Sequence, residues 1–311
     1  MRALVTGAGG FIGSHLAERL LAEGHEVRAV DALVPYYDPA VKRARLDALA
    51  AAGAETGEED LRSHDLAPLV AGIDVAFHLA AQPGVRSSWG EGFAAHVEHN
   101  VLATQRLLEA SAAEGIGRFV FGSSSSVYGD AERHPTPEDA TPRPISPYGV
   151  TKASAEHLLY AYGRNHGLPA VALRYFTVYG PRQRPDMAFH RFIRAVLDGR
   201  PIEVYGDGEQ SRDVTYVGDA VAATIAAGEA SEAPGKTINV GGGSVVTVNE
   251  CLRVLASVSS REVEIVYGDA QPGDARHTSA DLSLAKEVLG FAPSTPLEVG
   301  LRAEWDWLAR P

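Results

Sequence analysis

The segment Arg2-Ala3-Leu4-Val5-Thr6 runs straight into Gly7-Ala8-Gly9-Gly10-Phe11-Ile12-Gly13. An apolar-periodic helix follows, with Phe11, Ile12, Leu16, Leu20 and Leu21 on its inner face. A short buried strand, a glycine turn and a helix form the context in which a glycine fingerprint binds a dinucleotide. Gly7 permits the tight turn, Gly10 lets the backbone approach a pyrophosphate, and Gly13 lets the helix sit close to the strand. The helix amino terminus offers unpaired N–H groups and a positive dipole end to phosphates. The spacing is G-x-x-G-x-x-G with an additional Gly9, which differs from G-x-G-x-x-G. A second strand, Glu26 to Val30, ends on Asp31, at the distance where an acid takes the adenosine ribose hydroxyls. An acid there disfavours a 2′-phosphate, so NAD is expected over NADP. The plainer alternative is a glycine-rich turn without a ligand.

Strand and helix patterns alternate up to about residue 178. Strands are expected at 2–6, 26–31, 75–79, 118–123 and 169–176, and helices at 11–23, 39–52, 92–114 and 147–166. Alternation of this kind implies a parallel sheet with helices on both faces. Beyond Gly180 the elements shorten and Pro and Gly increase, as in a smaller capping domain. Arg212 to Asn239 is expected to return to the main sheet. The expected domains are therefore 1–178 plus about 212–240 for the cofactor, and 179–211 plus about 241–311 for the substrate.

Tyr148-Gly149-Val150-Thr151-Lys152 supplies the chemistry. A Tyr and a Lys four residues apart on a helix share a face. A free phenol, with a pKa of about 10, is almost wholly protonated at neutral pH. A fixed ammonium nearby favours the phenolate, which can then accept a proton from a substrate hydroxyl. The run Phe119 to Gly129 delivers the hydroxyls of Ser124, Ser125 and Ser126 to a strand end, where ligands collect in open α/β sheets. The strand at Phe77-His78 ends in Leu79-Ala80-Ala81, small residues that leave space beside a flat cofactor. His78, His96 and His99 lack the third ligand and spacing of a metal site, so no metal is expected.

The formal net charge of −12 argues against a nucleic-acid or anionic-membrane partner and requires a locally positive pocket for any anionic substrate. Cys251 is the only cysteine, so no internal disulfide can form, which is consistent with a reducing cytoplasm. Its expected role is core packing. No apolar run approaches the 18 or so residues of a membrane span. The glycine turn so near Met1 leaves no room for a secretory signal.

TGAGGFIG, HLAAQPGVR, SSSSVYG, YGVTK, RYFTVYGPRQRPDMAF and GDGEQSRDVTYVGD follow one another along nearly the whole chain. In that order they resemble the extended short-chain dehydrogenase/reductases of the nucleotide-sugar epimerase and dehydratase group. The resemblance implies a Rossmann-type doubly wound sheet with a smaller C-terminal substrate-binding domain. It also calls for a strand at Glu55 to Asp60, where the composition is poor for one. Asp60, Leu61, Leu79, Ala80 and Ala81 become cofactor contacts beside the glycine turn and Asp31, with NAD tightly bound. Tyr148 becomes the base, Ser124 holds the same sugar oxygen, and Lys152 stabilises the phenolate and grips the nicotinamide ribose. Asn100 matches a position that orients the active site, a reading open beside that of a structural core hydrogen bond.

Family members that eliminate water carry Asp-Glu after the serine, and those that decarboxylate generally keep the Glu. Ser125 and Ser126 stand there instead, so the resemblance implies epimerisation. The segment from Arg174 to Phe189, the run from Asp31 to Leu46 and Gln271-Pro272-Gly273-Asp274 resemble the branch acting at C4 of UDP-glucuronate in particular. Arg184 is then the carboxylate ligand, helped by Ser125, Ser126 and Thr177. Thr177 departs from the Asn common across the wider superfamily. Arg212 and Arg276 are candidates for the diphosphate, with Arg86 as a third and Asp274 alongside, while Ala188, Phe189 and Tyr205 frame the uracil. Epimerisation of a neutral sugar such as UDP-glucose, decarboxylation of UDP-glucuronate, and a non-catalytic NAD-binding sensor stay open as alternatives. Ala and Leu on further faces of the helices at 92–114 and 147–166 imply, with the resemblance, a homodimer through a four-helix interface.

Overall fold

Side-chain alternation along the buried strands decides the layering. In β1 (Arg2–Thr6), Ala3 and Val5 face one hydrophobic core and Leu4 faces another, as a period of two requires. The same division recurs further along the sheet, where Phe77 and Val120 join the first core and Ala76, Phe119 and Phe121 the second. A strand buried on both faces reads as a nearly continuous apolar run, and needs helices on each side.

The computed structural model describes residues 1–269, 271 and 273–310. Pro272, in the motif from Gln271 to Asp274, lies outside the described residues. After β1 come α1 (Phe11–Ala22), β2 (Glu26–Asp31), α2 (Pro39–Ala51), β3 (Glu55–Glu58), α3 (Ala67–Val70) and β4 (Val75–His78). They are followed by α4 (Gly92–Val97), α5 (Ala103–Glu114), β5 (Arg118–Ser124), α6 (Pro147–His166) and β6 (Ala170–Tyr175). The main sheet is completed by β10 (Thr237–Val240), in the order β10-β6-β5-β4-β1-β2-β3. Every neighbouring pair in it is parallel. The chain turns back between β1 and β4, so the ends of those strands form the switch point at which open α/β sheets bind ligands.

Most of the rest of the chain builds a second packed unit. Before β10 come β7 (Thr177–Tyr179), α7 (Ala188–Leu197), β8 (Ile202–Tyr205) and β9 (Ser211–Tyr216), then α8 (Val217–Glu229), which packs in the main core. Beyond β10 come β11 (Val245–Thr247), α9 (Val248–Ser259), β12 (Ile265–Gly268), α10 (Ser283–Leu289) and α11 (Leu297–Leu308). Tyr179, Ile193, Leu252, Leu255, Leu301 and Trp305 form its core. Cys251 is buried there, and burial pushes its thiol up to about 12, which makes it inert packing. The return to the main sheet is made by α8 and β10, with α8 packed across α1. The first part of the expected return segment, β9, pairs instead with β7 and β11 in a separate sheet.

Two other expectations need revision. The segment 92–114 is interrupted by a π turn at Glu98–Leu102, so α4 and α5 are not one regular α-helix. The inserted register turns the Asn100 amide inward, where it is almost fully buried. The strand at 55 is real but ends at Glu58; its poor composition reflects its place at the solvent edge, where three of four residues are exposed.

The helix carrying Tyr148 and Lys152 is tied to the sheet by a buried ion pair. Arg174 on β6 donates to both carboxylate oxygens of Glu156 on α6, at 3.0 and 2.7 Å, and the Ser123 hydroxyl on β5 donates to the same carboxylate at 2.5 Å. Removing one member strands a buried charge. Glu156→Ala is expected to lower the unfolding free energy by about 3–5 kcal/mol, measured by chemical denaturation.

Candidate active site

The glycine turn is built by close backbone approach. Gly7 sits at φ +73°, and a Cβ there would lie 2.8 Å from the backbone nitrogen of Ala80 at the end of β4. A Cβ on Gly13 would lie 2.2 Å from the carbonyl oxygen of Gly7. Gly10 occupies the N-cap of α1 with no side chain to satisfy the helix N–H groups, which stay available to an anion. One cleft runs from Asp31 past Gly7, Gly10, Phe11, Ile12 and Gly13, then Leu79, Ala80 and Ala81, to Tyr148, Lys152 and Arg184. An adjoining hollow is lined by Asp60 and Leu61. Asp31 ends β2 nearly buried, accepting from the Leu33 amide at 2.8 Å with the Lys42 ammonium 3.9 Å away. Asp60 is held by Arg62, whose hydrogen bonds bring its carboxyl down to about 2.

Tyr148 and Lys152 lie on the first turns of α6, which is started by Ser146 accepting from the Gly149 amide and by Pro147 at the first helical position. Burial dominates both groups. It raises the Tyr148 phenol above its ordinary value, while Arg184 first and then the Ser124 hydroxyl draw it back down. It lowers Lys152 to about 7, against the opposing field of Glu156. The Lys152 ammonium donates to the Gly122 carbonyl at 2.6 Å and lies over the Phe121 ring at 4.5 Å. Among the charges around Tyr148, Arg184 has the largest effect, while the Lys152 ammonium is held at the Gly122 carbonyl.

Asn100 makes the core hydrogen bonds of the plainer reading. Its carbonyl accepts from the Gln82 amide at 2.7 Å, and its amide donates to the Gln82 carbonyl and to Thr151 Oγ1, both at 3.0 Å. Thr151 in turn donates to the Tyr148 carbonyl at 2.8 Å. This is a core hydrogen-bond set that fixes the loop after β4 against the helix turn carrying Tyr148. His78 is buried between Thr6 and Thr104, and burial lowers it to about 3. Among the described residues no group of three His, Cys, Asp or Glu side chains is placed to hold a metal.

The expected substrate residues divide into two places. Ser124, Ser125, Ser126 and Thr177 lie partly buried at the ends of β5 and the start of β7, with β5 and β6 in register through Ser124 and Tyr175. Arg86 pairs with Asp274 at 2.5 Å and stacks over the Tyr205 ring at 4.4 Å. Arg212 feels the fields of Asp274 and Arg86. The Arg276 carbonyl accepts from the Arg212 guanidinium at 3.3 Å, while its own exposed guanidinium pairs with Asp207 at 2.8 Å. The Phe189 ring packs on Tyr179 in the core of the second unit, which leaves exposed Ala188 as its surface neighbour.

Residues that sequence reasoning passed over also shape the cleft. Tyr36, Tyr37, Lys42 and His99 line it. Arg45 donates to the Gly9 carbonyl at 3.2 Å and to the Arg182 carbonyl at 3.3 Å, joining the glycine turn to the loop that carries Arg184. Asp186 takes Arg184 through two hydrogen bonds. Tyr36, Tyr37 and Asp186 stood within the motifs recognised in the sequence, but their partners come from loops far apart in the chain and no spacing rule joins them.

Relatives match this architecture along its length. A solved UDP-glucuronic acid 4-epimerase from Bacillus cereus, in complex with UDP-glucuronic acid and NAD, superposes with a TM-score of 0.96 at 42% identity, covering 99% of each chain. An uncharacterized UDP-glucose epimerase, YtcB of Bacillus subtilis, is 44% identical over 99% of this chain and 98% of its own. A UDP-glucuronate 4-epimerase of Thermodesulfobacterium geofontis is 36% identical over 98% of this chain and 95% of its own. Residues 3–241 match the model of the NAD dependent epimerase/dehydratase family. With its glycine turn, its Ser124-Tyr148-Lys152 set and its matching relatives, the chain belongs to that family.

Proposed function

We propose that this protein is an NAD-dependent epimerase acting at C4 of UDP-glucuronate to give UDP-galacturonate. The observation that carries the reading is Arg184, a guanidinium in the same cleft as Tyr148, in a chain with serines at 125 and 126. A sugar carboxylate matches an arginine fork, and serines cannot serve as the acid and base of an elimination at neutral pH. The backbone cradle of Gly7, Gly10 and Gly13, which any Cβ would fill, fits a dinucleotide pyrophosphate, and Asp31 stands where the ribose hydroxyls fall.

NAD, when bound, supplies a hydride acceptor that returns the hydride within the same turnover. Tyr148 removes the proton of the C4 hydroxyl, and Ser124 holds that oxygen. The ketone then turns within the cleft, Tyr148 returns the proton, and the hydroxyl emerges on the opposite face. Lys152, held by the Gly122 carbonyl, keeps its donors at the floor of the cleft. Arg184 does two things: it favours the phenolate and it receives the uronate carboxylate. Oxidation at C4 leaves a ketone β to that carboxylate, and such acids lose carbon dioxide when the C5–carboxylate bond lies parallel to the carbonyl π system. Arg184, Ser125, Ser126 and Thr177 hold the carboxylate away from that alignment.

UDP-glucose is the second reading. It is favoured by the pairing of Arg184 with Asp186, which already satisfies part of the arginine. Arg86, Arg212 and Asp274 with Tyr205 form the proposed seat for the diphosphate and uracil. The proposed division of labour gives residues 1–178 and about 212–240 to the cofactor, and 179–211 and about 241–311 to the nucleotide sugar. We also propose a homodimer. Trp89, Phe93, Val97, Leu102, Ile145, Val150 and Tyr160 leave large apolar surfaces exposed on and beside α4, α5 and α6, and two copies of such a face form a four-helix interface. A cytoplasmic location accords with the single cysteine and with where NAD and nucleotide sugars are found.

Incubation with UDP-glucuronate should give a product of unchanged mass and inverted C4 stereochemistry; loss of carbon dioxide or water would overturn the assignment. Tyr148→Phe should abolish turnover with NAD still bound, and a loss of less than about tenfold, 1.4 kcal/mol, would rule out Tyr148 as the base. Arg184→Ala should reduce uronate turnover by about two to three orders of magnitude, from about 3–4 kcal/mol of lost contact, with more decarboxylated product. Because Arg184 lowers the Tyr148 phenol, its loss should also move the acidic limb of the kcat/KM profile to higher pH. Val150→Arg should convert the dimer into monomer in light scattering at micromolar concentration.

A further inference from the structure

Arg184 meets the cleft with part of its fork already taken. Its Nε donates to Asp186 Oδ1 and its Nη2 to Asp186 Oδ2, both at 3.0 Å. The Tyr36 hydroxyl donates to Oδ2 of the same carboxylate at 3.2 Å, and the Tyr36 ring lies 6.0 Å from the guanidinium carbon. Tyr36 thus touches both members of the pair from a different loop, the one between β2 and α2. The backbone beneath is pinned as well. Gln183 is buried, donating to the Val178 carbonyl at 3.1 Å and accepting from the His190 amide at 2.9 Å. Arg182, at φ +65°, reaches Glu18 on α1 at 2.7 Å, and His15 bonds the Pro181 carbonyl at 2.8 Å. With both flanks fixed, Arg184 cannot roll about its long axis without breaking the Asp186 pair.

Resting on the uronate reading above, we infer that Asp186 is a positioning residue that sets through which edge, and how strongly, Arg184 holds the sugar carboxylate. A guanidinium has five N–H donors on two usable edges. Asp186 occupies the Nε–Nη2 edge, and among the described residues Nη1 donates to no protein acceptor. The end-on Nη1–Nη2 edge is therefore the one presented to a ligand. A carboxylate can dock on it while Asp186 stays in place.

The charge balance follows from the same geometry. Asp186 opposes the attraction of Arg184 for a second carboxylate, partly screened because the Asp186 side chain is 37% exposed against 22% for Arg184. Such moderation suits a site in which the sugar has to turn between two hydride transfers. An arginine with its full charge would bind the ground state more tightly and hold the carboxylate against that movement. A neutral sugar has no carboxylate to be held, so the counterion's effect on sugar binding is confined to the uronate, while any effect on the Tyr148 phenol through Arg184 is common to both sugars.

The test compares wild type, Asp186→Asn and Asp186→Glu as NAD-loaded enzymes on UDP-glucuronate and UDP-glucose. In Asp186→Asn the uronate KM should fall about fivefold and its kcat about tenfold. The KM for UDP-glucose should stay within about twofold of wild type. Asp186→Glu keeps the charge, and its uronate KM should stay within about threefold. A rise in uronate KM in Asp186→Asn, or equal losses on both sugars, would assign Asp186 a structural role and overturn the inference. Wild-type failure to epimerise UDP-glucuronate would instead remove the reading beneath it, and is read directly from the wild-type arm.

Discussion

The contact between the Gly13 backbone and the Gly7 carbonyl sets the position of nearly everything else. With a Cβ at Gly13 that approach would be 2.2 Å, so only glycine allows α1 to lie so close to the end of β1. The same turn passes within 2.8 Å of the Ala80 backbone, measured from a Cβ built on Gly7, and so fixes the end of β4 beside β1. Parallel pairing then carries the constraint outward. β5 pairs with β4 and β6 with β5, so the serine-bearing end of β5 and the Lys152 anchor at Gly122 lie on the same edge as the glycine turn. A distortion of the turn would therefore alter the distance between cofactor cradle and base.

From that edge the second unit is attached through a few short links. His15 and Glu18 on α1 hold Pro181 and Arg182, while Arg45 on α2 reaches both Gly9 and Arg182. The loop that carries Arg184 is thus hung from α1 and α2, and the glycine turn and Arg184 face one continuous cleft.

Legibility in the sequence followed the range of the interaction. The glycine turn, the strand ending on Asp31 and the pair at 148 and 152 were readable because each rests on local geometry: a turn, a strand period or a helix face. The strand at Glu55 was recoverable only through family resemblance, since an edge strand escapes the demand for apolar residues on both faces. The π turn at Glu98–Leu102 left no trace in the periodicity, although it is what turns Asn100 toward Gln82 and Thr151. The Asp186 and Tyr36 contacts were equally hidden, because their loops meet only after the sheet has formed. Phe189, expected with Ala188 at the uracil, has its ring in the core of the second unit, as its apolar helical spacing with Phe192, Ile193 and Val196 also allows.

Burial acts on Tyr148 and Lys152 alike. Withdrawal from water penalises every charged form, so it raises the Tyr148 phenol and lowers the Lys152 ammonium together. Burial thus disfavours charge on both members of the Tyr148–Lys152 pair and brings the lysine down to about 7. It acts on Arg184 in the same sense, but the Asp186 carboxylate more than offsets it, and a guanidinium keeps its proton. Arg184 therefore stands as a charge in the cleft beside Lys42, and the Lys152 ammonium is fixed at the Gly122 carbonyl. On the uronate reading proposed above, the sugar carboxylate and the Tyr148 phenolate draw on one cation. A substrate that neutralises Arg184 weakens the support for the base at the moment of binding, so counterion balance at this residue couples recognition of the sugar to the proton transfer itself.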